Sequence, residues 1–282
     1  TWSGWGLDVL KGASLEALLA GGAGAGVVGA SRRYPRGWWA PAGAGSVIAS
    51  ALLAALAPLT LDPLFNEFTP LPGGETRADV LDLARAAGVH VGEVYSVDAS
   101  RRGTAANAYV TGLGPSKRVV LYDTLLGQNS GYTREEIRVV VAHELAHVRY
   151  RDLARGVLYA CIVAPPGALA VQRLSWAVSP VRGTPAALPA LALCAALVAA
   201  PIGLVANRLS RALERRADAY ALALSGSPDA FVSFERTIAL QNVADLDPPR
   251  WVTSLLATHP STGARIGAAL DYKKGRAEPA LD

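Results

Sequence analysis

Residues 42–61 and 186–206 contain no charged side chain, and no other feature limits the possible folds of this chain so strongly. A helix of about 20 apolar residues spans the roughly 30 Å hydrocarbon layer of a bilayer. Two further stretches, 13–30 and 154–172, are nearly as apolar, although the first is short, rich in glycine and carries Glu16. Pro165, Pro166, Pro189 and Pro201 fall in the later pair, where neighbouring helices can satisfy the freed backbone groups. Gly22 and Gly26 form a small-xxx-small step that suits close helix approach. The chain is 51% hydrophobic and only 18% charged, too apolar for an ordinary soluble enzyme. The expected fold is predominantly α, a multi-span membrane helical bundle.

Between the second and third spans lies a polar region with its own local signals. Residues 76–87 read as a helix closed by Gly88, and 89–97, 105–111 and 117–122 as strands, the last two joined around Gly112, Gly114 and Pro115. Thr133 followed by Glu136 is a capping box ahead of Ile137, Val140, Val141, Glu144 and Val148 at helical spacing. After the fourth span, 208–224 reads as a helix ended by Ser225 and Gly226, and another starts at Ser227 with Pro228 in its first turn. Four segments follow: a two-span membrane region (1–61), the first part of a polar domain (62–153), a two-span hairpin (154–206) and the second part of the polar domain (207–282).

The helix behind Thr133 carries HELAH at 143–147, which uses two of only four histidines in the chain. His143 and His147, four apart, project from one helix face and can reach one Zn²⁺, with Glu144 about a hundred degrees round, near an open position of the metal. Two histidines leave room for a third protein ligand and a water. ERRAD at 214–218 supplies the acidic candidates: Glu214 for the metal, and Asp218, four residues on, for the outer nitrogen of a ligand histidine such as His143. Two spans separate the motifs, and an even number of crossings returns the chain to the same side of a membrane.

HELAH, then ERRAD after an apolar hairpin, with NAYV at 107, KRVVLYDTLL at 117, THP at 258, FNEFTPL at 65 and WGLDVLKG at 5, resembles the type I CAAX prenyl endopeptidases. These are Ste24-like integral-membrane zinc metallopeptidases of the gluzincin group. The resemblance implies a helical chamber in the membrane and a small β-sheet in a gluzincin-type peptidase domain, with one zinc at the cytosolic end. It implies His143, His147 and Glu214 as ligands, Glu144 as base, and an edge strand over Asn107, Ala108, Tyr109 and Val110 that holds substrate. An extended peptide can pair with such an edge irrespective of its side chains, and Asn107 can add a bond to its backbone. His259, within THP, becomes a candidate for stabilising the tetrahedral oxyanion. His90 has no such context and reads as a surface residue. Two other readings share the motifs: a heat-shock-type membrane quality-control protease, and a signal-transducing gluzincin sensor. The second wants a ligand-binding domain, and only about 76 residues follow the fourth span. Glu144 argues against an inert scaffold.

Composition narrows the setting. Lysine occurs only at 11, 117, 273 and 274, and the arginine bias points to a GC-rich bacterial genome and hence a plasma-membrane location. The chain lacks methionine, so upstream residues and further spans are expected, and 1–30 does not read as a signal peptide. Cys161 and Cys194 sit in apolar stretches, where a disulfide is not expected. The net charge of +4 comes from arginines flanking apolar spans, which argues for contact with the bilayer and against nucleic acid. Eight basic residues flank the spans on the HELAH side, among them Arg149, Arg151, Arg208 and Arg211, against Arg32, Arg33, Arg36, Arg173 and Arg182 opposite, which favours a cytoplasmic zinc domain. The partners expected are the bilayer and a membrane-tethered protein or peptide substrate.

Overall fold

The computed structural model describes residues 2–112, 114–127 and 131–275. In chain order the elements are α1 (Trp2–Arg33), α2 (Trp39–Thr60), α3 (Asp62–Phe65), β1 (Phe68–Pro70), α4 (Glu75–Ala86), β2 (Glu93–Val97), β3 (Ala108–Thr111) and β4 (Arg118–Tyr122). Then follow α5 (Asp123–Leu126), α6 (Arg134–Arg149), α7 (Asp152–Val178), α8 (Leu188–Ser225), α9 (Pro228–Gln241), α10 (Arg250–Leu255) and α11 (Thr262–Lys273). They divide into two units, Thr1–Ala54 with Ala154–Val205 and Ala55–Leu153 with Ala206–Asp282.

The first unit is made from α1, α2, α7 and α8, each long and apolar enough to cross a membrane. Their apolar windows are at most 6% buried within the chain, as expected of side chains facing lipid. The expected step at Gly22 and Gly26 is not where helices meet, since nothing lies within 4 Å of a Cβ built at either. Close approach occurs instead at Gly43, where a Cβ would stand 3.0 Å from the Pro165 Cα. The proline that interrupts backbone bonding in α7 thus packs against a residue with no side chain.

One boundary differs from the sequence reading. The apolar run 186–206 and the helix at 208–224 form a single continuous helix, α8. The change there is from apolar to charged side chains, and between Gly203 and Gly226 no Gly or Pro interrupts the backbone ladder.

The second unit holds a four-stranded sheet of order β1-β2-β4-β3, with β2 and β4 parallel and the outer pairs antiparallel. Three strands fall within the expected ranges but are shorter, while β1 had no separate sequence signal. Its three residues are too few for a period to be visible. Val94, Val119 and Leu121 are fully buried and form a core with Val141 and Leu145 of α6. The capping box opens α6: Thr133 Oγ1 accepts from Glu136 N–H at 3.2 Å, and Glu136 Oε2 accepts from Thr133 N–H at 2.6 Å. Buried Asp79 on α4 pins the same end, accepting from Arg134 Nη2 at 2.9 Å and Arg138 Nη1 at 2.8 Å.

Candidate metal centre

The capped, buried helix α6 presents His143 and His147 side by side, with their rings 4.9 Å apart and nearly perpendicular. Their Nε2 atoms are 3.2 Å from each other. Glu214 reaches the same point from α8, with Oε2 3.4 Å from His143 Nε2 and Oε1 3.7 Å from His147 Nε2. Three atoms about 2.0–2.2 Å from a tetrahedral zinc stand roughly 3.3 Å apart, close to these separations.

The outer nitrogens state what these atoms are. His147 Nδ1 is hydrogen-bonded to Asp152 Oδ2 at 2.9 Å, and His143 Nδ1 lies 2.9 Å from Asp218 Oδ1, although not in line for a well-formed bond. A carboxylate on Nδ1 holds the proton there and leaves Nε2 as a lone pair. Two lone pairs and a carboxylate then converge at van der Waals distance, an arrangement that repels itself unless a cation sits among them. The donor set of two imidazoles and one carboxylate suits Zn²⁺ with one position open.

Asp218 and Asp152 are themselves held. Arg265 on α11 donates Nε to Asp218 Oδ2 at 2.9 Å and Nη2 to Oδ1 at 2.5 Å, while its Nη1 lies 2.6 Å from Glu235 Oε1. Arg216 Nη2 donates to Asp152 Oδ1 at 2.5 Å, and its guanidinium lies 4.1 Å from the Tyr150 ring centre. Asp152, Arg216, Glu235 and Arg265 carried no sequence signal of a role, because each meets its partner only through folding. The one available hint was that Asp152 follows His147 closely enough to return to it.

Glu144 stands beside the histidines on the wall of a cavity of about 390 Å³, shared with Asn107, Phe231, Phe234 and His259. Burial pushes the Glu144 carboxyl above its usual range. Burial likewise pushes Glu235 up. His259 is largely exposed, with Nε2 3.4 Å from Glu214 Oε2 and Nδ1 2.9 Å from the Thr258 hydroxyl. His90 is exposed elsewhere.

The strand residues separate by face. Asn107 lines the cavity just before β3, and its Oδ1 accepts from Ala108 N–H at 2.9 Å. Ala108 is buried in the core, whereas the Tyr109 hydroxyl donates to Asp62 at 3.2 Å and its ring packs edge-on to Tyr122. Burial and the Asp62 charge push the Tyr109 hydroxyl up. The Tyr109 side chain is thus committed away from the cavity. β3 ends the sheet, and Asn107 C=O accepts from Tyr122 N–H at 3.0 Å. Alternation then turns the backbone groups of Ala108 and Val110 to the open side.

The chain is similar to several known proteins. The sequence model of peptidase family M48 matches residues 70–273. A Bacillus subtilis protein named as an uncharacterized metalloprotease, YhfN, is 31% identical over 83% of this chain. CAAX prenyl protease 1 of Saccharomyces cerevisiae is 36% identical over 40% of this chain. The chain spans 57% of the first relative's length and 24% of the second's. The crystal structure of S. mikatae Ste24p superimposes with a TM-score of 0.84 at 25% identity, covering 96% of this chain and 67% of that one. Matched by the family model over well more than half its length and carrying four helices fit to span a bilayer, the chain belongs to peptidase family M48 as a Ste24-like membrane protein.

Proposed function

We propose that the chain is a zinc-dependent integral-membrane endopeptidase that cleaves membrane-associated or lipidated proteins and peptides. The observation that carries this reading is the convergence of His143, His147 and Glu214 beside Glu144, on a cavity that Asn107 also lines at the start of an edge strand. His143, His147 and Glu214 would hold the metal. When bound, zinc lowers the pKa of a coordinated water toward about 7 and polarises the scissile carbonyl.

The chain's own groups supply the rest. Glu144 takes the water's proton and passes it to the leaving amine, and its buried, raised carboxyl suits both exchanges. An extended substrate pairs with the Ala108 C=O and the backbone of Val110, and Asn107, whose Oδ1 holds Ala108 N–H, has its amide nitrogen to donate to the substrate backbone. His259 is placed to donate to the oxyanion as the carbonyl becomes tetrahedral.

The membrane-tethered substrate class follows from placement. The segments bearing HELAH and ERRAD adjoin apolar runs in the sequence, which supports a centre that works close to a bilayer surface. A lipid or span on the substrate raises its local concentration there without new contacts. Relatives named CAAX prenyl proteases support a lipid-bearing substrate, and the basic residues flanking the spans support a cytoplasmic centre. The test compares one extended peptide with and without a lipid anchor near its cut site, in bilayers. Much faster cleavage of the anchored peptide is expected; equal rates would remove the tethered-substrate reading.

A further inference from the structure

The connections 34–38 and 179–187, at one end of the α1, α2, α7 and α8 unit, carry positive charge that no carboxylate balances. No Asp or Glu occurs between residues 17 and 61 or between 153 and 213, yet Arg32, Arg33, Arg36, Arg173 and Arg182 all lie in or beside these connections. Among the described residues, none of the five has a carboxylate partner. They rest instead on neutral groups. Arg32 Nε donates to Gly183 C=O at 2.6 Å, and the Arg33 guanidinium lies 5.4 Å from the Tyr34 ring centre. Arg173 and Arg182 lie 5.9 Å and 5.0 Å from the ring centre of Trp176.

Arg36, Arg173 and Arg182 rim a pocket of about 480 Å³ whose floor includes the buried Trp38, Ser175 and Ala187. The pocket is built with care for position. Gln172 is 1% exposed, accepts from Trp39 N–H at 3.1 Å and donates to Arg36 C=O at 3.0 Å, so the connection bearing Arg36 is clamped to the helix bearing Arg173. The Arg32 to Gly183 bond fixes the connection bearing Arg182 in the same way.

Three arginines lining one cavity bring like charges together, and their repulsion is screened less beside lipid than in bulk water. The complementary occupant is a compact anion with several acceptor oxygens. Guanidinium forks take two phosphate oxygens at once, and a ring face keeps the fork in plane. Val181 in the pocket lining is exposed, as are Leu174 and Val178 on α7, and such apolar side chains suit contact with acyl chains. We propose that this pocket is a phosphate site, filled by the headgroup of an anionic phospholipid or by a soluble phosphate ester; the neighbouring apolar side chains favour the lipid.

The test is native mass spectrometry of the full chain in mixed micelles, with phosphatidylglycerol or phosphatidylcholine of matched acyl chains. Wild type should retain the anionic lipid at least tenfold better. Arg36→Gln, Arg173→Gln and Arg182→Gln combined should reduce retention to the level of the zwitterionic lipid. If that variant does not elute as a single species, Arg182→Gln alone, at an exposed position, should lower retention several-fold. Glycerol phosphate forms the second arm. Its binding to wild type but not to the variant, without a lipid preference, assigns the soluble source and still supports the site. Equal retention of both lipids, with no binding of glycerol phosphate, would overturn the proposal, as would undiminished retention in the folded variants.

Discussion

Asp152 Oδ2 and His147 Nδ1 form a 2.9 Å hydrogen bond that ties the second histidine of HELAH to the first residue of α7. The bond holds the ring proton on Nδ1 and points Nε2 at Glu214. Replacing Asp152 with Ala should therefore weaken zinc binding by about 10- to 100-fold, as for loss of comparable outer partners of metal-bound histidines. Chelator competition reads this directly. Unchanged affinity would show that Asp152 does not position His147.

Arg265 joins three segments, contacting Asp218 and Glu235 with only 17% of its side chain exposed. Arg265→Met leaves two buried carboxyls without their cation, a loss of about 3–5 kcal/mol by analogy with other broken buried pairs. Glu235→Gln should cost less, because burial already favours the neutral acid. Unfolding in detergent should rank the two variants in that order.

Asp79 gives a pH test far from the metal. The Arg134 hydrogen bond, with help from Arg138 and against burial, holds its carboxyl below the usual range. A depressed folded pKa contributes stability fully above the unfolded value of about 3.9, and that contribution fades as pH falls through the folded pKa. Asp79→Asn should be less stable than wild type at neutral pH, and the gap should narrow below about pH 4. A gap independent of pH would remove the charge from the account.

Much of the centre is legible in the sequence where a short period carries it. The box at Thr133 and Glu136, the spacing of His143 and His147, and that of Glu214 and Asp218 are local patterns, and each sits on the helix that its period implies. Long-range partners leave no such trace. Arg265 reaches Asp218 and Glu235 on two other helices, and nothing near either Arg265 or Glu235 marks it. The helix contact at Gly43 and Pro165 was hidden for the same reason: the small-residue pattern at Gly22 and Gly26 is the stronger signal in one dimension, but it does not say which helices are neighbours. The join within α8 leaves no mark in the sequence, because a change of hydrophobicity resembles an end even where no helix breaker or cap stands.

Glu144→Gln keeps the three proposed ligands and removes the base. Cleavage should fall by several powers of ten while zinc remains bound. Substantial residual turnover would take Glu144 out of the mechanism.

The most direct measurement is the zinc-to-protein ratio of the purified full chain, compared with Glu214→Ala. Wild type should carry about one zinc per chain, and the variant should lose most of it with the helical circular dichroism signal retained. Wild-type protein purified without chelator that holds no zinc, or a Glu214→Ala variant that keeps it in full, would contradict the centre formed by His143, His147 and Glu214.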